Sequence, residues 1–355
     1  MRIGVLTGGG DAPGLNAVIR AVIKHGVGQK GWTVVGIEDS FNGLFTSPYQ
    51  IREMRMQDCR GLLGRGGTVL GTTNKGDPFA WGPDKQDMSP QIPKAMQQLR
   101  LDGLVVIGGD GTQAIAHRLM TEQGIKCVGV PKTIDNDLSA TDQTFGFQSA
   151  VDVATEALDR LHTTAESHDR VIILEVMGRD AGHIALHAGM AGGADCIVIP
   201  EIPYDIERIC GKIDTRRALG RFFTLIIVAE GAKPAGGEAA GYKRKVGKGM
   251  VRVGGPGPAL AQAIAEKRNV DVRVTVLGHL QRGGSPCAFD RILSTRLGVG
   301  AVELIEAGRW GEIAVMQNNQ VVGVPIADAI STYRLVDPEG ELVNAARAVG
   351  VEFGG

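Results

Sequence analysis

Arg2–Ile23 reads RIGVLTGGGDAPGLNAVIRAVI and holds the architecture in miniature. Its start, Arg2–Leu6, is a short run rich in apolar residues that predicts a buried strand. Its end places Leu15, Val18, Ile19, Val22 and Ile23 on one face of a helix. Thr7-Gly8-Gly9-Gly10-Asp11-Ala12-Pro13-Gly14-Leu15-Asn16 joins the two. Glycines let a backbone approach phosphates closely, and a helix N-terminus adds free N–H groups and a positive dipole end. Two standard phosphate loops are excluded. The dinucleotide fingerprint needs a third glycine where Pro13 stands, and a Walker A loop needs Lys-Ser/Thr where Leu15-Asn16 stand.

Further strand-like runs lie at Thr33–Ile37, Leu104–Ile107, Cys127–Val130, Val171–Val176, Cys196–Ile199, Phe223–Val228 and Val272–Val276. Val153, Ala157, Leu158 and Leu161 repeat the helical pattern. Such alternation implies an α/β fold with parallel, doubly wound sheets and sites at the strand carboxyl ends. The first four strands fill residues 1–138 and the next set begins near Arg170. The expected architecture is two similar Rossmann-like three-layer domains with mainly parallel sheets and the active site in the cleft between them. The segment 231–258 differs, being glycine-rich with Lys243, Arg244, Lys245, Lys248 and Arg252. It reads as a solvated loop or as a basic flap over an anionic ligand.

Composition narrows the class. A hydrophobic fraction of 43% over 355 residues is ample for a sizeable core. The formal net charge of -1 gives no reason to expect a nucleic-acid or membrane-surface partner, so any anion site must be local. The five cysteines, Cys59, Cys127, Cys196, Cys210 and Cys287, are scattered with no CxxC, which fits a reducing cytosol better than a disulfide framework or a zinc site. Ile3–Leu6 is too short for the apolar region of a signal peptide, and no segment approaches the ~20 apolar residues of a membrane span. A cytoplasmic location is expected. Glycine, at 52 residues, stands at about twice average usage and is clustered in loops.

Two more strand ends carry polar, phosphate-friendly chemistry. Gly108-Gly109-Asp110-Gly111-Thr112 sets a carboxylate between glycines, a natural Mg²⁺ ligand beside bound phosphates and a pattern shared by several kinase groups. Pro131-Lys132-Thr133-Ile134-Asp135-Asn136-Asp137 offers two carboxylates beside a lysine and a threonine, which suits a general base poised over a magnesium-bound phosphate. Later, Arg170, Arg179, Arg273 and Arg282 each border a predicted strand. With Glu230 and His279 they compose a sugar-phosphate pocket, the arginine forks holding phosphate and Glu230 a hydroxyl.

Together these motifs resemble the 6-phosphofructokinase family over essentially the whole chain. In order they are Gly-Gly-Asp-Ala-Pro-Gly at 9–14, Gly-Gly-Asp-Gly at 108–111, Thr-Ile-Asp-Asn-Asp at 133–137, Glu-Val-Met-Gly-Arg at 175–179 and Val-Leu-Gly-His-Leu-Gln-Arg-Gly-Gly at 276–284. The resemblance implies Mg²⁺-dependent phosphoryl transfer to the 1-hydroxyl of fructose 6-phosphate. It implies Asp135 as the base, with Arg179, Thr133 and Lys132 around the transferring group and Asp110 as the magnesium-associated carboxylate. Gly10, Asn74, Lys75, Gly109, Asp110, Gly111 and Thr112 would face the donor. Asp137, Met177, Gly178, Glu230, His279 and Arg282 would face fructose 6-phosphate, with Arg170 and Arg273 reaching it from a neighbouring subunit. A homo-oligomer, usually a tetramer, follows. The implied donor-binding domain is 1–140 plus roughly 281–325, and the fructose 6-phosphate domain is 141–280 plus the C-terminal segment.

The donor motifs are mixed. Asn74, followed by Lys75, stands where many bacterial ATP-using members have an arginine after Leu-Gly-x-x. Lys132 is similar to pyrophosphate-using members, whereas Gly111 is similar to ATP-using ones. ATP is therefore the expected donor, with pyrophosphate second and ADP third. The bacterial effector pattern is partly matched: Arg20 and Lys24 fit, but His162 replaces an arginine and Asp195 a glutamate. Two other classes compete. An NAD-dependent oxidoreductase fails at Pro13, and a non-catalytic sugar-phosphate sensor would be expected to lose Asp135 or Asp110.

Overall fold

The computed structural model describes residues 1–238, 242–246 and 249–355. In chain order the elements are β1 (Arg2–Thr7), α1 (Leu15–Gly26), β2 (Thr33–Ile37), β3 (Ile51–Met54), α2 (Gln91–Leu99), β4 (Gly103–Gly108), α3 (Asp110–Gln123) and β5 (Cys127–Pro131). Then follow α4 (Phe147–His168), β6 (Val171–Val176), α5 (His183–Ala191), β7 (Cys196–Val198), α6 (Ile206–Ala218) and β8 (Thr224–Ala229). The chain continues through β9 (Tyr242–Val246), β10 (Gly249–Val253), α7 (Pro256–Lys267), β11 (Val272–Val276), α8 (Ala288–Glu306), β12 (Glu312–Gln317) and β13 (Gln320–Pro325). It closes with α9 (Ile326–Ala329) and α10 (Glu341–Ala348).

The chain divides into two compact units, Met1–Ser149 with Arg282–Arg334, and Ala150–Gln281 with Leu335–Gly355. The first crossing falls after Ser149, in the first turn of α4, and the last after Arg334.

Unit 1 is built on a seven-stranded sheet of order β13-β12-β5-β4-β1-β2-β3. Its inner strands run parallel, while β3 and β13 pair antiparallel at the two edges. Alternation along the strands makes three layers. Ile3, Val5, Val105, Ile107, Val128 and Val130 pack with α1 and α8 on one face. Leu6, Val35, Ile37, Leu104 and Val106 pack with α2 and α3 on the other. Because both faces are covered, the strands read as continuous apolar runs.

Unit 2 has a parallel four-stranded sheet of order β11-β6-β8-β7. Val171, Ile173, Val198, Ile226 and Val228 meet α6 and α7 on one face, and Ile172 and Leu225 meet α4 on the other. The two units share an architecture but differ in size and edges. The segment expected to be a loop contains an antiparallel pair, β9 with β10. The basic side chains Lys243, Arg244, Lys245, Lys248 and Arg252, and with them the flap reading, lie outside the described residues.

Candidate active site

Strand register brings the three strand-end motifs of unit 1 level with one another. Thr7 is opposite Ile107 across β1 and β4, and Gly108 is opposite Pro131 across β4 and β5. The chain leaves β1 for β2 on one side and later returns to β4 on the other. This is a topological switch point, where the strand carboxyl ends open a crevice.

Thr112 is the wedge between the first two loops. A side chain at Gly8 would meet its Cγ2 at 2.6 Å and one at Gly108 its Cβ at 2.4 Å, so both positions need glycine. Gly9 adopts φ 79°, and a Cβ there would lie 3.3 Å from Lys132 Nζ, 3.5 Å from Thr112 Oγ1 and 3.9 Å from Asn74 Oδ1. Residues from three loops thus converge on one bare backbone position. The Asn74 segment is held from below: Gly9 N–H donates to Thr73 O at 3.2 Å, and the Thr72 hydroxyl donates to Gly9 O at 2.6 Å. Buried Asn16 donates to Arg65 O and Gly66 O and accepts from Val69 N–H, fixing the approach to that segment. Lys75 is exposed and touches the loop through its own N–H, which donates to Thr73 Oγ1. Asp110 and Gly111 open α3 and are exposed.

Lys132 is only 4% exposed. Burial and the neighbouring Arg282 guanidinium push its ammonium down to about 8, opposed by Asp135, Asp11 and Asp110. In the loop after β5, Asp135 N–H donates to Thr133 Oγ1 at 3.1 Å. The Thr144 hydroxyl donates to Thr133 O at 2.7 Å, and Asn136 Oδ1 accepts from Thr144 N–H at 3.0 Å. Asn136 itself sits at φ 54°, a left-handed conformation that asparagine tolerates.

Arg282 lies in unit 1, against the first loop. Its Nη1 donates to Asp11 O at 3.0 Å and would sit 2.9 Å from a Cβ at Gly10. The resemblance implies that it faces fructose 6-phosphate; its contacts in this structure are with the Gly8–Asp11 loop.

In unit 2 the register repeats the device. Val276 is opposite Glu175 across β11 and β6, and Val176 is opposite Ala229 across β6 and β8. Met177-Gly178-Arg179, Glu230 and His279 therefore leave neighbouring strands at one end of the sheet. A Cβ at Gly231 would fall 1.8 Å from Arg179 O, so this glycine seats the arginine loop. The Arg179 side chain is exposed and ion-paired with Asp180. Glu175, part of the same motif, is buried and accepts from Gly257 N–H at 2.9 Å, a structural task at the start of α7. Arg170 and Arg273 meet on one carboxylate, Asp271, the first at 2.7 Å.

The chain matches the phosphofructokinase family model over residues 2–305. This protein belongs to the phosphofructokinase family. It is 49% identical to "ATP-dependent 6-phosphofructokinase 1" of Synechocystis, over 99% of this chain and 98% of that one. It is 47% identical to "Pyrophosphate--fructose 6-phosphate 1-phosphotransferase" of Streptomyces coelicolor, over the full length of both. Among solved structures, Pichia pastoris phosphofructokinase in the T-state superposes with a TM-score of 0.82 at 31% identity, over 98% of this chain; the present chain spans 36% of the length of that one.

Several residues that brace these loops were not legible in the sequence. Gln113, fully buried, donates to Val106 O, Gly108 O and Val130 O and so ties β4 to β5 just below their loops. Glu201 accepts from Gly182 N–H at 2.9 Å and Val336 N–H at 2.8 Å, anchoring the end of the arginine loop. Gln281 Oε1 faces Met177 N–H at 3.4 Å. Glu201 follows a strand end, a signal that could have found it; Gln113 sits inside a helix pattern and offers none.

At the partly matched effector positions, Asp195 is ion-paired with Arg216 at 2.5 Å and accepts from Leu225 N–H, and burial pushes its carboxyl up. His162 packs edge-on against Phe223. Arg20 and Lys24 line a separate cavity in unit 1 with Cys59 and Arg60. Among the described residues, no helix is long and apolar enough to cross a membrane.

Proposed function

We propose that this chain is a cytoplasmic 6-phosphofructokinase that transfers the terminal phosphoryl group of Mg-ATP to the 1-hydroxyl of fructose 6-phosphate. The observation that carries the reading is the convergence of Lys132, Thr112 and Asn74 on Gly9, with open space at Gly111, where a Cβ would meet nothing within 4 Å. A nucleotide's inner phosphate needs that space; a carboxylate there would fill and repel.

Among the described residues no three His, Cys, Asp or Glu side chains gather into a protein cage for a metal. Magnesium is commonly held by one or two carboxylates, substrate phosphates and water, so the single exposed Asp110 fits as its protein ligand. When bound, the ion supplies neutralisation of phosphate charge. Asp135 takes the proton of the attacking hydroxyl, its loop fixed by Thr133 and Thr144. Lys132 and Arg179 stabilise charge on the transferring group. Gly10, Asn74, Lys75, Gly109 and Thr112 face the donor. Asp137, Met177, Gly178, Glu230 and His279 hold fructose 6-phosphate, and Arg282 links that role to the donor loop. Arg170 and Arg273 serve a neighbouring subunit, which makes the working form a homo-oligomer, a tetramer in this reading.

A second reading, pyrophosphate as donor, is favoured by the buried Lys132, whose ammonium could grip a short diphosphate; ADP ranks third. Coupled detection of fructose 1,6-bisphosphate with ATP, pyrophosphate and ADP at fixed magnesium separates them. Higher kcat/KM with ATP is expected, and a tenfold preference for pyrophosphate overturns the donor assignment. Asp135→Asn should keep substrate binding and lower turnover by about 10²–10⁴-fold. Turnover close to that of the unmodified chain would place the base elsewhere.

A further inference from the structure

We infer that Thr332-Tyr333-Arg334 is a strap that positions the base loop against the donor-side carboxylate. The inference rests on the roles just proposed for Asp135 and Asp110.

Three consecutive side chains of this segment reach the site. The Thr332 hydroxyl is 3.1 Å from Ser139 Oγ. Tyr333 pairs with Leu138 through an isolated antiparallel bridge, and its phenol hydrogen-bonds Asp110. Arg334 spreads over the far side of the base loop. Its Nε donates to Asn136 O at 3.2 Å, its Nη1 donates to Thr141 O at 2.8 Å and Asp142 O at 2.6 Å, and its N–H donates to Asp137 O at 2.8 Å.

The physical consequence is a shared frame. Asp110 opens α3 just beyond β4, whereas Asp135 lies in the loop beyond β5, so the two carboxylates leave neighbouring strands on separate segments. A planar guanidinium satisfying three carbonyls of the residue 136–142 turn fixes that turn in orientation as well as position. The phenol one residue earlier then fixes Asp110 relative to the same backbone. An ordinary loop tie needs one hydrogen bond; this segment makes contacts from three successive side chains onto two loops. Arg334 and Tyr333 are positioning residues, since neither needs to touch a substrate. Misplacement of reacting groups by about 1 Å costs on the order of 10²-fold in rate, so the strap bears on turnover more than on affinity.

The test uses the full-length chain with Arg334→Ala, Arg334→Lys and Tyr333→Phe, beside Asp135→Asn. Arg334→Ala should lower kcat by about 10–100-fold with KM for both substrates changed little. Added guanidinium ion should restore part of that loss. Without any substrate, amide hydrogen exchange should rise in the peptide spanning 132–145 and not in unit 2. Arg334→Lys, which keeps charge but loses the fork, should fall between, and Tyr333→Phe should raise exchange around 108–113 with a smaller loss of kcat. Should Arg334→Ala fail to fold, the other two variants carry the test. Variants with kcat within twofold of the unmodified chain overturn the strap, as does local exchange that rises while kcat holds. If Asp135→Asn is fully active, it is the base assignment that fails; if Asp135→Asn is inactive and the strap variants are normal, the strap alone fails.

Discussion

Lys132 shows how one buried residue can set a working pH range. Its ammonium is excluded from water and repelled by Arg282, so its affinity for a proton drops to about 8 despite Asp135, Asp11 and Asp110 nearby. Lysine is cationic below its pKa, so the charge that Lys132, in the role proposed for it, offers a donor phosphate is present at neutral pH and is lost as pH rises through about 8. The free-enzyme profile, kcat/KM for the donor, should fall on the alkaline side with that midpoint. Bound phosphate favours the cation, so the corresponding limb in kcat should move to higher pH. Lys132→Arg should remove the limb at 8, because a guanidinium stays charged throughout. An alkaline limb unchanged in Lys132→Arg would assign it to another group. The same depressed pKa makes folding less favourable at neutral pH, where the charge is buried, and that cost shrinks as pH rises from the folded toward the unfolded pKa.

At the scale of the element, α3 carries the question of donor. It starts at Asp110 immediately after β4, and its second residue is Gly111, exposed, with room for a side chain and no left-handed backbone to strain. Gly111→Asp is therefore a test uncomplicated by misfolding. It should keep the melting temperature within a few degrees and lower kcat/KM for ATP by an order of magnitude or more, while pyrophosphate use changes less, since close like charges in a partly dehydrated site repel by several kcal/mol, on the order of 4 at 4 Å. Equal losses with both donors would show that position 111 does not read the nucleotide. The contrast with Gly8, Gly108 and Gly231 is instructive. A Cβ at each of those meets another atom at 2.6 Å or less, so their substitution reports on packing before it reports on chemistry.

For the whole molecule, the shared carboxylate at Asp271 bears on assembly. It draws Arg170 and Arg273 into one cationic group, and Arg273 stands on β11, the edge strand of unit 2. If both arginines serve a neighbouring subunit, alanine at either should raise KM for fructose 6-phosphate much more than KM for the donor. Mixing inactive Asp135→Asn with inactive Arg273→Ala should then restore activity in re-formed hybrids. Full activity in a dilute monomer, measured by sedimentation alongside the assay, would overturn subunit sharing. The pair cannot be judged by its ion pairs alone, because exposed salt bridges contribute about 0–1 kcal/mol each to stability.

The amino-acid sequence by itself determined the class of fold and the three loops of unit 1. Eight strands stand at or within a residue or two of where the apolar runs predict them, since a strand covered on both faces advertises itself by composition. It was silent on β3, β12 and β13, which sit at or near sheet edges, and it read the β9–β10 pair as loop because glycine and lysine mask alternation. Strand-end loop chemistry is local, so the candidates Gly9, Asp110 and Asp135 were visible from their neighbours in the chain. Tertiary structure alone decided which strand ends adjoin, and with them the crowding of Lys132, Thr112 and Asn74 around Gly9. It also decided that Arg282 touches the first loop, that Gln113 binds two strands together, and that Tyr333 and Arg334 reach back some two hundred residues to Asp110 and Asn136. Those contacts depend on strand order and register, which no short window of sequence encodes. Burial then turns proximity into chemistry, as in the lowered pKa of Lys132.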